Sequence, residues 1–225
     1  MNKWSVRVKV LNLYAGIGGN RKFWEDVEVT AVEYDQATAD VYKEYFPNDK
    51  VIVTDAHQYL IENFKEYDFI WSSPPCPTHS RLNFTNAAKD NRLLYPDMKL
   101  YQEIIFLSSW FDGKYCVENV IPYYEPLIEP TKKLHRHYYW CNFRFSDFND
   151  YDKERNHNGF KGSDGLYGYD IMDSSISDKR KALRNMVDPA LGLHILNAAR
   201  NIITKPKTKQ AGLFENESAK AEQAL

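Results

Sequence analysis

Val8-Lys9-Val10-Leu11-Asn12-Leu13-Tyr14-Ala15-Gly16-Ile17-Gly18-Gly19 is the stretch that decides the fold. The β-branched, apolar run over Val8–Leu13 reads as a buried strand. The glycines directly after it let the backbone turn sharply and approach a ligand closely. Outward from this strand, further short apolar runs at 27–32, 51–53, 69–71, 115–117 and 138–141 read as strands. Between them, residues 35–46 carry Ala37, Val41, Tyr42 and Tyr45 at helical spacing, with Asp35 placed to cap. Residues 57–64, 97–110 and 189–203 also read as helices, the last through Leu193, Ile195, Leu196 and Ala199. This alternation predicts an α/β fold, a mostly parallel sheet with helices on both faces. Such sheets hold ligands beyond the C-terminal ends of the strands, near a reversal of strand order. The chemistry is therefore expected just after each strand.

Composition narrows the class. Of 225 residues, 43% are hydrophobic and 15% aromatic, enough for a core. The length suits one domain over 1–204, with a polar, flexible tail over 205–225. No run approaches the roughly 20 apolar residues of a membrane-spanning helix, and the N-terminus has no signal-peptide layout, so a cytoplasmic location is expected. Three cysteines, Cys76, Cys116 and Cys141, exclude a disulfide framework and fit a reducing compartment. They form no CxxC pair, and no metal site is expected. The net charge of −2 excludes a polycation. A nucleic-acid partner would have to meet a local basic face. Basic residues gather at Lys132, Lys133 and Arg136, at Lys179, Arg180, Lys181 and Arg184, and at Arg200, Lys205, Lys207 and Lys209.

The strand ends carry the candidate chemistry. After strand one come Tyr14, Ala15, Gly16, Gly18 and Gly19; after strand two, Glu33 and Tyr34; after strand three, Asp55 and Ala56. An acidic residue at the end of a second strand commonly accepts hydrogen bonds from a ribose. Acidic residues after both strands, following a glycine loop, predict an adenosine-containing cofactor. The glycine spacing departs from the dinucleotide fingerprint and argues against NAD. Strand four ends in Ser72-Ser73-Pro74-Pro75-Cys76, where paired prolines stiffen the loop and place a thiol beside any substrate. Such a thiol is a nucleophile when its pKa is lowered, and otherwise an inert cysteine. Glu118 and Asn119 end strand five, and the carboxyl group is a candidate proton donor or hydrogen-bond partner.

Together these segments resemble the ordered motifs of DNA (cytosine-5) methyltransferases. Residues 11–19, Glu33, Asp55, Pro74-Pro75-Cys76 and Glu118-Asn119-Val120 occur in the family's order, each after the matching strand. Asn185-Met186-Val187-Asp188-Pro189 is similar to the family's Gly-Asn-x-Val-x-Pro segment, with Arg184 in the glycine position. The resemblance spans residues 8–203 as a scaffold. It implies a Rossmann-like S-adenosylmethionine-dependent methyltransferase fold and methyl transfer to carbon 5 of cytosine in DNA through a transient Cys76 adduct on a flipped base. It assigns Cys76, Glu118, Asn119 and Arg136 to catalysis. To the cofactor it assigns Tyr14, Ala15, Gly16, Gly18, Gly19, Glu33, Tyr34, Asp55, Ala56, Pro74, Asn185 and Val187. It makes 78–95 a mobile loop closing over the base, with Arg81 and Arg92 near phosphates.

The chain departs from the family in three places. Pro77 follows the cysteine where glutamine is usual, and His135-Arg136-His137 stands where two arginines are usual. Only 142–178 is available as a target-recognition excursion. This reads as a minimal member, of the kind phages or mobile elements carry, sometimes within restriction-modification systems. Its recognition site is expected to be about two to four base pairs, since each bidentate base contact gives only about 1–3 kcal/mol of discrimination. Rival readings are an amino-methyltransferase acting on adenine or cytosine nitrogen, cytosine-5 modification of RNA or free nucleotide, and an inactive DNA-binding relative. In the tail, Gln210, Leu213 and Phe214 resemble the peptide by which bacterial DNA enzymes hold a sliding clamp.

Overall fold

The computed structural model describes residues 7–83, 94–149 and 166–200. One seven-stranded sheet organises them, in the order β3-β2-β1-β4-β5-β7-β6. Its strands are β1 (Val8–Leu13), β2 (Val27–Glu33), β3 (Lys50–Val53), β4 (Phe69–Ser72), β5 (Lys114–Val120), β6 (Lys132–Leu134) and β7 (His137–Cys141). β1 to β5 pair in parallel, and β7 runs antiparallel to both β5 and β6. From β1 the chain moves outward to β3, then returns to lay β4 on the other side of β1. That reversal opens a crevice beyond the C-terminal ends of β1 and β4.

Alternation along the strands sets the two layers. Val8, Val10, Val29, Phe69, Trp71, Cys116 and Tyr139 face one way, against Leu191, Ile195 and Leu196 of the helix α5 (Pro189–Ala199). Ala31 shares that face with Tyr42 of α1 (Gln36–Tyr45). Leu11, Leu13, Val32, Ile70, Tyr115 and Val117 face the other way, onto Leu60 of α2 (Ala56–Asn63) and Leu100, Ile104 and Leu107 of α3 (Lys99–Trp110). A further helix, α4 (Lys179–Asn185), precedes α5. Aspartates start four of these helices: Asp35, Asp55, Asp178 and Asp188 each accept a backbone N–H of the first turn, and Pro189 follows the last at a position needing no donor. Among the described residues, no helix is long and apolar enough to cross a membrane.

The expected strands and helices are present, with four differences. β5 runs on through Val120, because Glu118, Asn119 and Val120 pair with Tyr139, Tyr138 and His137 of β7. Glu118 and Asn119 therefore lie in the strand rather than after it. The strand β6 and the helix α4 were not anticipated; β6 has only three residues, two of them lysines. The described ends of the 142–178 excursion are core. Phe143 and Phe145 pack under α5, while Tyr169, Ile171 and Ile176 pack on Ile17 and Val41. Residues 150–165, residues 84–93 with Arg92, and the tail with Gln210, Leu213 and Phe214 lie outside the described residues.

Candidate active site

The crevice is a cavity of about 1180 Å³. It is lined by Tyr14, Ala15, Gly16, Gly19, Glu33, Tyr34, Asp55, Ala56, Pro74, Cys76, Glu118, Asn119, Arg136, Asn185 and Val187. Of the described candidates for catalysis and cofactor binding, Gly18 alone is absent from this lining. A Cβ there would lie 2.3 Å from the Phe46 ring and 2.9 Å from Tyr42, and its φ is +85°. Gly18 therefore serves the packing of the loop on α1.

The glycine loop is tied down on every side. Beneath it, the buried amides of Asn12 and Asn20 exchange hydrogen bonds at 2.8 and 3.3 Å. The Tyr169 hydroxyl donates to the Gly18 carbonyl at 2.8 Å. Gly19 meets the 184–188 segment so closely that a Cβ would sit 2.5 Å from the Val187 carbonyl oxygen. This contact brings Asn185 and Val187 to the cavity wall. Glu33 accepts the Gly16 N–H at 2.9 Å on one oxygen and the N–H groups of Tyr34 and Asp35 at 2.9 and 3.1 Å on the other. Its neighbour Tyr34 presents an exposed ring at the lip. Asp55 caps α2 through the Gln58 N–H at 3.0 Å and lies 3.5 Å from Lys99 Nζ. That backbone bond, and then Lys99, hold its carboxyl below the usual carboxylate range.

Across the cleft, β4 and β5 deliver the other candidates. Asn119 Nδ2 donates to the Pro74 carbonyl at 2.9 Å, and its Oδ1 accepts the Val120 N–H at 2.9 Å, which fixes the Pro-Pro-Cys loop onto β5. The Cys76 carbonyl accepts N–H groups from His79 and Ser80, both at 3.0 Å, so the chain turns immediately after the thiol. Burial, and then the charge of Glu118, push the Cys76 thiol up, while Lys181 and Arg184 of α4 pull it down. At rest it is a thiol beside positive charge. Glu118 is buried, with Oε1 3.3 Å from His137 Nε2. Arg136 occupies the two-residue β6–β7 turn at the rim, after His135 at a φ of +53°.

Sequence reasoning missed several groups. His137 is the residue beside Glu118, and only the antiparallel β5–β7 pairing puts it there. The helix α4 was missed, although its Lys181 and Arg184 stand out in the sequence as part of a basic cluster; both reach the cavity wall from it. His79 is buried next to the Cys76 turn, with Nδ1 2.6 Å from the Tyr124 hydroxyl. Glu103 on α3 is a buried carboxylate behind the glycine loop; no local pattern marks it, since it sits inside an ordinary amphipathic helix. The described residues hold no cluster suited to a metal ion.

Residues 8–120 match the family model described as C-5 cytosine-specific DNA methylase. Among solved structures, a DNMT2 mutant from Spodoptera frugiperda is similar at 28% identity, over 50% of this chain and 35% of that one, with a TM-score of 0.37. The Entamoeba histolytica methyltransferase EhMeth is similar at 17% identity, over 51% of this chain and 38% of that one, with a TM-score of 0.34. The chain thus spans little more than a third of the length of either. TrmN from Thermus thermophilus is similar at 16% identity, over 51% of this chain and 33% of that one, with a TM-score of 0.33. No curated protein matches.

Proposed function

The chain belongs to the C-5 cytosine-specific DNA methylase family, and from that premise we propose that it methylates carbon 5 of cytosine in DNA, drawing the methyl group from S-adenosylmethionine. The observation that carries this reading is the meeting of Cys76 and Glu118 with the glycine loop on one cavity. The cavity is wider than a pocket for one small ligand, which typically holds about 300–1,000 Å³. The residues present fit the cofactor. Tyr34 offers an exposed face for an adenine, Glu33 a carboxylate for a ribose, and Asp55 a carboxylate at the adenine edge. Bound there, the cofactor supplies an electrophilic methyl group.

The protein's own part is to make a poor carbon nucleophile reactive. The Cys76 sulfur, as thiolate, forms a bond to C6 of the ring, and the displaced electron pair gathers toward C5. Glu118, as the carboxylic acid, gives its proton to the ring nitrogen and accepts a hydrogen bond from the exocyclic amine, so the charge is neutralised as it forms. C5 would take the methyl group, the spent cofactor leaving as a neutral thioether; the C5 proton then passes to water in the cleft, and the electrons of that C–H bond expel the thiolate. Asn119 keeps the cysteine loop in register throughout, through its bond to Pro74. A base inside a duplex cannot reach a cleft of this kind, so the target is flipped out, and Arg136 stands at the rim where the backbone of the substrate would pass. Trapping tests the reading. Duplex DNA carrying 5-fluorocytosine at target positions should leave a denaturant-resistant complex that depends on cofactor and disappears in Cys76→Ser. An enzyme that methylates ordinary DNA but traps nothing overturns it.

A further inference from the structure

We infer that Glu103 is a positioning residue that sets the cofactor cleft by fastening three chain segments to one buried carboxylate. The inference rests on the use proposed above for that cleft. Glu103 Oε1 accepts the Tyr14 hydroxyl at 2.5 Å and lies 3.1 Å from His57 Nδ1, and Oε2 accepts the Ser72 hydroxyl at 2.6 Å. Tyr14 is the first residue after β1 and opens the glycine loop. Ser72 ends β4 and leads into Pro74-Pro75-Cys76. His57 stands in the first turn of α2, directly behind Asp55 and Ala56. The three partners thus mark three of the strand-end segments that line the cavity, those after β1, β3 and β4.

A carboxylate removed from water is tolerated only when its oxygens are hydrogen-bonded. Here the compensation comes from groups distant in sequence, so Glu103 is satisfied only when all three segments are in place. The same logic holds from the other side. Tyr14 has a φ of +54°, a conformation costly for a residue with a Cβ, and its hydroxyl is anchored on Glu103. Burial and the Glu103 charge push that hydroxyl up, so it remains the donor. The bond to Glu103 likewise raises His57. Tyr14, Asp55 and Ala56 line the cavity and Glu103 does not, so it acts through them rather than on a guest.

Calorimetric titration of S-adenosylmethionine into wild type, Glu103→Ala, Glu103→Gln and Tyr14→Phe tests this, with melting temperatures and steady-state rates alongside. Glu103→Ala should weaken cofactor affinity about tenfold or more. Glu103→Gln, which can still meet hydroxyls, should recover much of it, and Tyr14→Phe should fall between. For the two Glu103 variants, the KM for cofactor should rise while kcat at saturating cofactor stays within about threefold of wild type. Variants that melt lower yet bind cofactor as wild type does overturn the inference, since Glu103 is then only a stabiliser. If Glu103→Ala does not fold, Tyr14→Phe decides: unchanged affinity overturns the inference. A wild type that takes up no S-adenosylmethionine instead overturns the proposed function, and this inference with it.

Discussion

The ends of β1, β2 and β3 and the ends of β4, β5 and β7 build the two halves of one cleft on different terms. In the first half the polar groups already have partners. Glu33 collects three backbone N–H groups, Asp55 caps a helix, and the glycine loop is held by Tyr169 and the 184–188 segment. In the second half the charges are set against one another. The Cys76 thiol is pushed up by burial and Glu118 and pulled down by Lys181 and Arg184, while Glu118 itself lies 3.3 Å from His137 Nε2. A binding half gains from being finished before its ligand arrives, because less ordering remains to oppose association. A reacting half must change charge state during the reaction, and opposed influences leave that change within reach.

The two halves should separate most sharply at the proposed nucleophile. Cys76→Ser should lower methyl transfer about a thousandfold or more, the order of loss when a nucleophile is removed, while leaving cofactor affinity intact by calorimetry. Loss of cofactor binding in that variant would erase the division between the halves. Glu33→Ala strikes the other side. A hydrogen bond to a charged group contributes about 1.5–3 kcal/mol, so cofactor affinity should fall roughly 10- to 150-fold, and unchanged affinity in a folded variant would remove Glu33 from the binding half. Gly19→Ala tests how tightly that half is built. The added carbon meets the Val187 carbonyl oxygen at 2.5 Å. It should cost about 1–3 kcal/mol of stability by forcing backbone apart, read as a lower melting temperature, and a neutral result would mean the loop is loose.

The smallest effect concerns the charge balance at Cys76. With its pKa raised, the thiol is deprotonated only above the usual thiol range, so alkylation by iodoacetamide should climb late with pH. Lys181→Gln removes a cation that favours the thiolate and should move that climb to still higher pH. The shift should be modest, because Lys181 is exposed and screened by water. Movement toward lower pH would contradict the assignment.

These two halves also differ in how much of them the sequence discloses. The glycine run after Val8–Leu13, and Asp35 and Asp55 before their helices, are local signals: turn, cap and strand end fall within a few residues of each other. Tyr14, Glu33 and Asp55, singled out by these signals, line the cavity. Cys76 is equally legible from the Pro-Pro-Cys stop to β4. Glu118 is legible as a residue but not in its surroundings, because His137 reaches it only through β7, and nothing local announces an antiparallel strand between β5 and β6. α4 hides for a different reason. It is seven residues long and mostly charged, with Leu183 as its one buried residue, too little for an apolar period to show. Glu103 escapes because a buried carboxylate in the middle of a helix looks, in sequence, like any solvated one.

The proposed activity of this cleft, methylation of carbon 5 of cytosine in DNA, is read most directly from its product. Duplex DNA should be incubated with the protein and methyl-labelled S-adenosylmethionine, digested to nucleosides, and the labelled nucleoside identified by mass, with RNA and Cys76→Ser in parallel. Label is expected in 5-methyldeoxycytidine from DNA, and none with Cys76→Ser. Label in N6-methyladenine or N4-methylcytosine, label confined to RNA, or undiminished 5-methyldeoxycytidine from Cys76→Ser would contradict it.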